Sequence, residues 1–277
     1  GRLRGSLDFY WNTTKDILMK VPVDTSAGYD WQFQNVGKTS NKGIELALSY
    51  DIANKKDWGL TFGMTYNYNH NNVDELFDGV LADTHTNWGS TMRLPNYDYI
   101  IREGQPVGLI QGYKSLGYYT VDDFNVVNGV WTLKESVPDN KVCNYSAGCA
   151  KAYKTPEGQT AFPGMYKFAD VDDNGTVTTE DVTIIGKTKP KHTGGFNLSG
   201  RYKGFDFNAN FTYQIGGDVY NANVMHDMMG NKDIGFGSAR LSELGDCWKM
   251  YDVDTNGNLY AVTDPDALRT LNAGAKY

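Results

Sequence analysis

The sequence predicts an all-β protein, and within that class a fragment of a large transmembrane antiparallel β-barrel with long extracellular loops. Three observations lead there. Tyr 19, Phe 12, Trp 6 and Gly 31 stand against Pro 8 in 277 residues, a profile of strand-forming aromatics and turn glycines. Five segments alternate apolar and polar residues with period two. Short connections between those segments alternate with long ones.

The segments fall near residues 2–12, 43–52, 58–69, 195–203 and 205–215. In the first, Leu3, Leu7, Phe9 and Trp11 share a face opposite Arg2, Arg4, Ser6, Asp8 and Asn12. The second sets Ile44, Leu46, Leu48, Tyr50 and Ile52 against Glu45, Ala47, Ser49 and Asp51. The third sets Trp58, Leu60, Phe62, Met64, Tyr66 and Tyr68 against Gly59, Thr61, Gly63, Thr65, Asn67 and Asn69. In the fourth, Phe196, Leu198 and Tyr202 oppose Asn197, Ser199, Arg201 and Lys203. In the fifth, Phe205, Phe207, Ala209, Phe211, Tyr213 and Ile215 oppose Asp206, Asn208, Asn210, Thr212 and Gln214. Each runs about nine to eleven residues, the length a tilted strand needs to cross a bilayer. Aromatic residues gather toward segment ends, at Tyr10, Trp11, Tyr50, Trp58, Tyr66, Tyr68 and Tyr202, as an interfacial girdle would. A soluble sandwich alternates in the same way, so alternation alone leaves both readings open. The uniform polar face of Asn, Thr, Ser, Gly and charges favours a water-filled lumen, with Arg201, Lys203, Asp206, Asn208 and Asn210 as candidate lining residues.

Segments two and three are joined by a short Ala-Asn-Lys-Lys-Asp turn, and four and five by a turn at Lys203 and Gly204. Barrels of the outer membrane keep short turns on the periplasmic side, so the third strand should run outward and the fourth inward. Regions 71–192 and 217–277 are then read as long extracellular loops, the first with an even number of further strands or none.

Net charge is -7, from 26 basic and 33 acidic residues, which argues against a nucleic-acid partner. No apolar run reaches the roughly 18 residues of a membrane helix. Cys143 and Cys149 flank a turn-prone segment in which a local disulfide is an open alternative to free thiols, and Cys247 would be left over. The chain begins inside a strand and closes on no periodic element, so a piece of a longer polypeptide is expected.

Particular residues then resemble a family. Asn35-Val36-Gly37 with Asn41-Lys42-Gly43-Ile44-Glu45-Leu46, Arg102-Glu103-Gly104-Gln105-Pro106-Val107-Gly108 with Gly112-Tyr113, Asp170 to Gly175 with Ile185-Gly186 and Pro190, and Tyr202-Lys203-Gly204-Phe205-Asp206 are similar to blocks near the C-terminal end of SusC/RagA family TonB-linked outer-membrane proteins, in the same order. The resemblance implies a barrel of roughly 22 strands when complete, of which five strands in this length would be one part. It further implies import of oligosaccharides or peptides, a SusD-like lipoprotein partner, outer-membrane lipid around the barrel, and TonB acting through an N-terminal plug that this chain does not contain. No catalysis is expected.

One constellation carries inorganic chemistry. Asp170, Asp172, Asn174, Gly175, Thr176 and Asp181 fall at positions 1, 3, 5, 6, 7 and 12 of a twelve-residue calcium loop. Alternate oxygens would converge on one hard cation, Gly175 would make the sharp turn, and Thr176 would offer its carbonyl. Asp181 replaces the usual Glu with a shorter arm. The alternative is an acidic turn capping its own backbone. Calcium, if bound, would be structural. His70, His85, His192 and His226 have no ligand spacing, nucleotide and hydrolase fingerprints are absent, and Trp88, Trp131 and Trp248 suit sugar stacking or ordinary packing. The competing function is a soluble, secreted β-rich carbohydrate-binding module with a calcium-stiffened loop.

Overall fold

The computed structural model describes residues 1–23, 26, 28, 31–76, 82–84, 98–142, 152–221 and 246–276. In chain order its strands are β1 (Leu3–Pro22), β2 (Trp31–Asn54), β3 (Trp58–Glu75), β4 (Ala82–Thr84), β5 (Tyr99–Ile101), β6 (Leu109–Gly112), β7 (Ser115–Tyr118), β8 (Phe124–Val127), β9 (Val130–Leu133), β10 (Asp139–Asn140), β11 (Tyr166–Phe168), β12 (Thr176–Val177), β13 (Thr183–Lys187), β14 (His192–Tyr202), β15 (Phe205–Ile215), β16 (Tyr251–Val253) and β17 (Leu259–Ala261), followed by helix α1 (Pro265–Leu271). The chain divides into two compact units, Gly1–Gln111 with Gly186–Tyr220, and Gly112–Ile185 with Asn221–Tyr277.

The first unit is built on an antiparallel sheet in the order β1-β2-β3-β14-β15. Its register gathers the apolar sets of all five strands on one face: Leu7 lies opposite Leu46, Leu46 opposite Tyr66, Phe62 opposite Leu198, and Leu198 opposite Ala209. A one-residue slip of any strand would turn its whole apolar set to the other side, so the matching of faces specifies the register. β3 pairs with β14 along the latter's full length, so the residues between them add no strand to this sheet. The apolar face is uncovered, with Phe205 80%, Phe9 72% and Trp11 70% exposed. A water-soluble sheet would bury such a face.

Several sequence expectations are corrected. β1, β2 and β3 are 20, 24 and 18 residues long, well beyond the predicted nine to eleven. Their outer parts keep backbone pairing but lose alternation. Register shifts between Thr14 and Ile17 and between Ile17 and Leu18 break it in β1, and one between Lys38 and Thr39 breaks it where β2 pairs with β3. A bulge between Asp51 and Ala53 takes Ile52 out of strict alternation. The fourth strand ends at Tyr202, so Lys203 is a turn residue with φ 52, its N–H donating to Asp57 O at 2.7 Å. Tyr10, grouped by sequence with the girdle, lies on the polar face. It stands over its cross-strand partner Gly43, where a Cβ would collide with the ring, and its hydroxyl donates to Asn69 Oδ1 at 3.1 Å.

The regions read as long loops contain a folded core. In the second unit Tyr119, Phe124, Trp131, Tyr153, Phe162, Met165 and Leu268 pack together. Trp131 is fully buried, edge-on to Phe124 at 5.8 Å and to Tyr153 at 5.4 Å. β8 and β9 form a hairpin whose two-residue turn, Asn128-Gly129, has positive φ at both positions, the geometry that matches strand twist. α1 starts at an Asp264 cap that accepts from Ala267 N–H at 2.9 Å, with Pro265 behind it, and buries Leu268. Trp131→Ala should destabilise this unit by about 3–5 kcal/mol. Limited proteolysis of the full-length protein is the check, and unchanged protection of residues 112–185 would contradict the assignment of this core.

Candidate functional site

The acidic loop lies in the second unit, between β11 and the short turn of helix at Thr179–Asp181. Carboxylate oxygens of Asp170, Asp172 and Asp181 all lie within 4.8 Å of one another. Asp181 is fully buried, and the sequence explains its placement: Thr178 and Asp181 form a capping box, with Glu180 N–H donating to Thr178 Oγ1 at 3.2 Å and Thr178 N–H to Asp181 Oδ2 at 2.7 Å. Val171 N–H donates to the other oxygen, Asp181 Oδ1, at 2.6 Å. The shorter Asp thus serves two masters, ending one turn and reaching into the loop.

Around it the backbone folds onto the carboxylates. Gly175 N–H donates to Asp170 Oδ2 at 2.7 Å and Asn174 N–H to Asp170 Oδ1 at 3.2 Å. Asp173 with φ 60 and Gly175 with φ 86 make the sharp turn the spacing demanded. Asn174 Oδ1 accepts from Thr176 N–H at 2.9 Å, and its Nδ2 donates to Asp172 Oδ2 at 2.8 Å. The carbonyl of Gly175, just before β12, accepts from Asp139 N–H in β10, and that of Val177 from Lys141 N–H just beyond it, so the intervening Thr176 carbonyl is turned away from that ladder. Partial desolvation and the adjacent Asp170 carboxyl raise Asp172 above the usual carboxylate range. Desolvation opposes charge on Asp170 too, but donation from Gly175 and its neighbours holds it below that range. Three carboxylates, an amide oxygen and a carbonyl of this kind fit a hard divalent cation.

A second stretch with similar lettering, Asp252-Val253-Asp254-Thr255-Asn256-Gly257, does something different. It closes the β16–β17 hairpin, Asp254 accepting from the N–H groups of Asn256 and Asn258, both at 2.8 Å. Donation from Asn258 lowers Asp254. Position 12 here is Thr263, and no cluster of three acidic ligands forms here among the described residues.

The polar face of the five-stranded sheet carries Arg201, Asp206, Asn208 and Asn210. Arg201 lies opposite Asp206 in register, yet its Nη2 donates to Asn54 Oδ1 at 3.0 Å and Lys55 O at 3.2 Å, toward the β2–β3 turn. Lys203 stands apart in its turn, its Nζ 5.4 Å from the Tyr202 ring centroid. Sequence reasoning missed the pair Arg4 and Asp51, where Arg4 Nη2 reaches both carboxylate oxygens at 3.0 and 2.9 Å and Thr61 Oγ1 donates at 3.0 Å. Both residues were on polar faces, but only the register brings them together. Cys143, Cys149, His85, His226 and Trp88 lie outside the described residues. His192 is on the apolar face, its Nδ1 2.8 Å from the Tyr66 hydroxyl and its ring against Tyr68.

A multi-stranded antiparallel sheet, apolar without and polar within, defines a segment of transmembrane β-barrel wall. The chain belongs to the family of TonB dependent receptor-like β-barrels, whose profile matches residues 1–277. TonB-dependent receptor P3 of Formosa agariphila is 28% identical over 261 residues, 92% of this chain and 22% of that protein. TonB-dependent receptor SusC of Bacteroides thetaiotaomicron is 25% identical over 235 residues, 84% of this chain and 19% of that protein. Among solved structures, the RagAB peptide transporter superposes with a TM-score of 0.59 at 24% identity, covering 90% of this chain and 23% of that one. The RagAB importer in its open-open state gives 0.54, covering 83% and 20%. The chain therefore spans about a fifth of the length of these relatives. The family is one of bacterial outer-membrane receptors and transporters.

Proposed function

We propose that this chain supplies part of the barrel wall and of the external face of a TonB-dependent transporter that imports oligosaccharides or peptides together with a SusD-like surface lipoprotein. The observation that carries the reading is the five-stranded sheet with one continuous, uncovered apolar face and one polar face. Its apolar side meets outer-membrane lipid. Its polar side, with Arg201, Asp206, Asn208 and Asn210, lines the lumen, and the segments beyond the membrane meet ligand and lipoprotein. TonB acts through the part of the protein outside this chain. The soluble-module alternative would leave a face carrying Phe9, Phe205 and Phe207 in water, which is unfavourable.

Deleting the whole gene is expected to abolish uptake of one labelled class, oligosaccharide or peptide, and deleting TonB should reproduce the loss. Unchanged uptake of both classes would overturn the transport assignment, and recovery of the full-length protein without detergent would overturn the barrel wall.

Calcium is proposed as a structural ligand of Asp170, Asp172, Asn174, Asp181 and the Thr176 carbonyl. Because Asp172 is raised in the metal-free loop, its ionisation costs the fold stability that is present at low pH and lost as pH rises through the raised value. A cation reverses that. Calcium affinity should fall as pH is lowered through the Asp172 titration, and calorimetry with no binding tighter than about 10⁻³ M at neutral pH would remove the site.

A further inference from the structure

The apolar face ends abruptly. From Trp58 to Tyr68, β3 advances about 26 Å along the membrane normal at the usual rise and strand tilt, which matches the roughly 25 Å apolar band of outer-membrane barrels. Across that span the face carries no Asp, Glu, Lys or Arg on any of the five strands. Its last row runs Phe9, Ile44, Tyr68, His192 and Ile215 in register. The next row outward on the same face is Trp11, Lys42 and His70, where Lys42 lies opposite Trp11 on one side and His70 on the other. The Lys42 ammonium sits 4.0 Å from the Trp11 ring centroid and makes no ion pair among the described residues. Phe9, Trp11, Lys42, Ile44 and Tyr68 together line a shallow groove.

We propose that this row seats the phosphate-bearing headgroup of an outer-leaflet lipid. The inference rests on reading the apolar face as the membrane-facing wall, and it goes further by assigning a particular lipid chemistry to a particular place. The groove is continuous with the lipid-facing surface, so its occupant has an acyl portion lying against Phe9 and Ile44. Its one full positive charge stands where that surface meets water, which selects an anionic headgroup. Trp11 holds the Lys42 ammonium by a cation–π contact, so less rotamer freedom remains to be lost on binding. His70 adds a ring N–H donor in the same row. Asp74, further out on β3, accepts from Ser40 and Asn72 at 2.8 Å each and makes no ion pair with Lys42 among the described residues. At the opposite end of the band Lys203 lies 5.4 Å from the ring of its chain neighbour Tyr202, in a two-residue turn and not on a strand face.

The test uses the full-length receptor in a zwitterionic detergent, titrated with bisphosphorylated lipid A and, separately, with its dephosphorylated derivative, with retained lipids counted by native mass spectrometry. The wild type is expected to retain the phosphorylated lipid and release the other. Lys42→Gln should weaken one retained lipid about fivefold, the effect of one basic side chain at an anionic surface. Lys42→Glu should weaken it further, Lys42→Arg should preserve it, and Lys203→Glu should leave the count unchanged. Equal retention of both lipids, an unaltered count in Lys42→Glu, or displacement of the lipid by equimolar inorganic phosphate would overturn the proposal. Heat-modifiable migration of each variant reports the folded barrel separately, so a failure of the membrane-wall reading is distinguishable from a failure of the lipid seat.

Discussion

Phe211→Arg is expected to lower the stability of the folded protein by about 2–4 kcal/mol, the cost of a cation on the lipid face near the bilayer midplane. Phe211 stacks on its cross-strand partner Phe196, with ring centroids 4.7 Å apart, in the middle rows of the apolar face. Its sequence neighbour Asn210 points to the other side, so Asn210→Arg places the same charge in water and should change stability by less than about 0.5 kcal/mol. The pair makes the test internal. Both changes add the same side chain one residue apart on one strand, and only the identity of the medium differs. Urea unfolding of the full-length protein refolded into lipid vesicles would measure it. Equal effects of the two variants would mean that both faces of this sheet see the same surroundings, which a barrel wall does not permit.

Asp181→Asn should be nearly as severe, and for a different reason. The carboxylate is fully buried and both of its oxygens are taken by backbone N–H groups, Val171 on one and Thr178 on the other. An amide keeps the shape but turns an NH₂ toward one of those donors, leaving a buried N–H unsatisfied at about 1–3 kcal/mol. The capping box and the acidic loop should loosen together, with new protease cleavage between 170 and 181 and loss of the proposed calcium affinity. Glu180→Gln, one residue away, alters an exposed carboxylate outside the cluster and should do neither. If Asp181→Asn retained both protease resistance and calcium binding, the buried carboxylate would have no structural role in the loop.

The first of these devices was legible in the sequence because water and lipid impose period-two alternation on every residue between them. Leu7, Leu46, Phe62, Leu198 and Ala209 are read as one-sided from their neighbours alone, and the structure sets Leu7 beside Leu46 in one row and Phe62, Leu198 and Ala209 in another row of the same face. The acidic loop was legible for a similar reason: convergence of oxygens on a point fixes a spacing. What faded was everything outside those constraints. Beyond Trp11 and Tyr68 pairing continues through register shifts and mixed residues, with Val21, Ser40 and Val73 buried beside exposed Leu18 and Phe33, so no single period betrays it. The second unit was read as loop because its strands run only two to four residues, too short for alternation to register, although Asn128-Gly129 between two apolar runs was a hairpin signal in plain view.

The sequence by itself determined which side of each long strand faces lipid, where the tight turns fall, and which oxygens can meet in the acidic loop, since each of these follows from local spacing. Tertiary structure alone decided the partners: β3 against β14 across more than a hundred intervening residues, Arg4 against Asp51, Lys42 against Trp11, and Trp131 at the centre of a core drawn from distant segments. The reason is physical. Period and spacing are properties of a few consecutive residues, whereas register, cross-strand contact and burial depend on which segments of the chain come together, and many pairings of alternating strands satisfy the same local pattern.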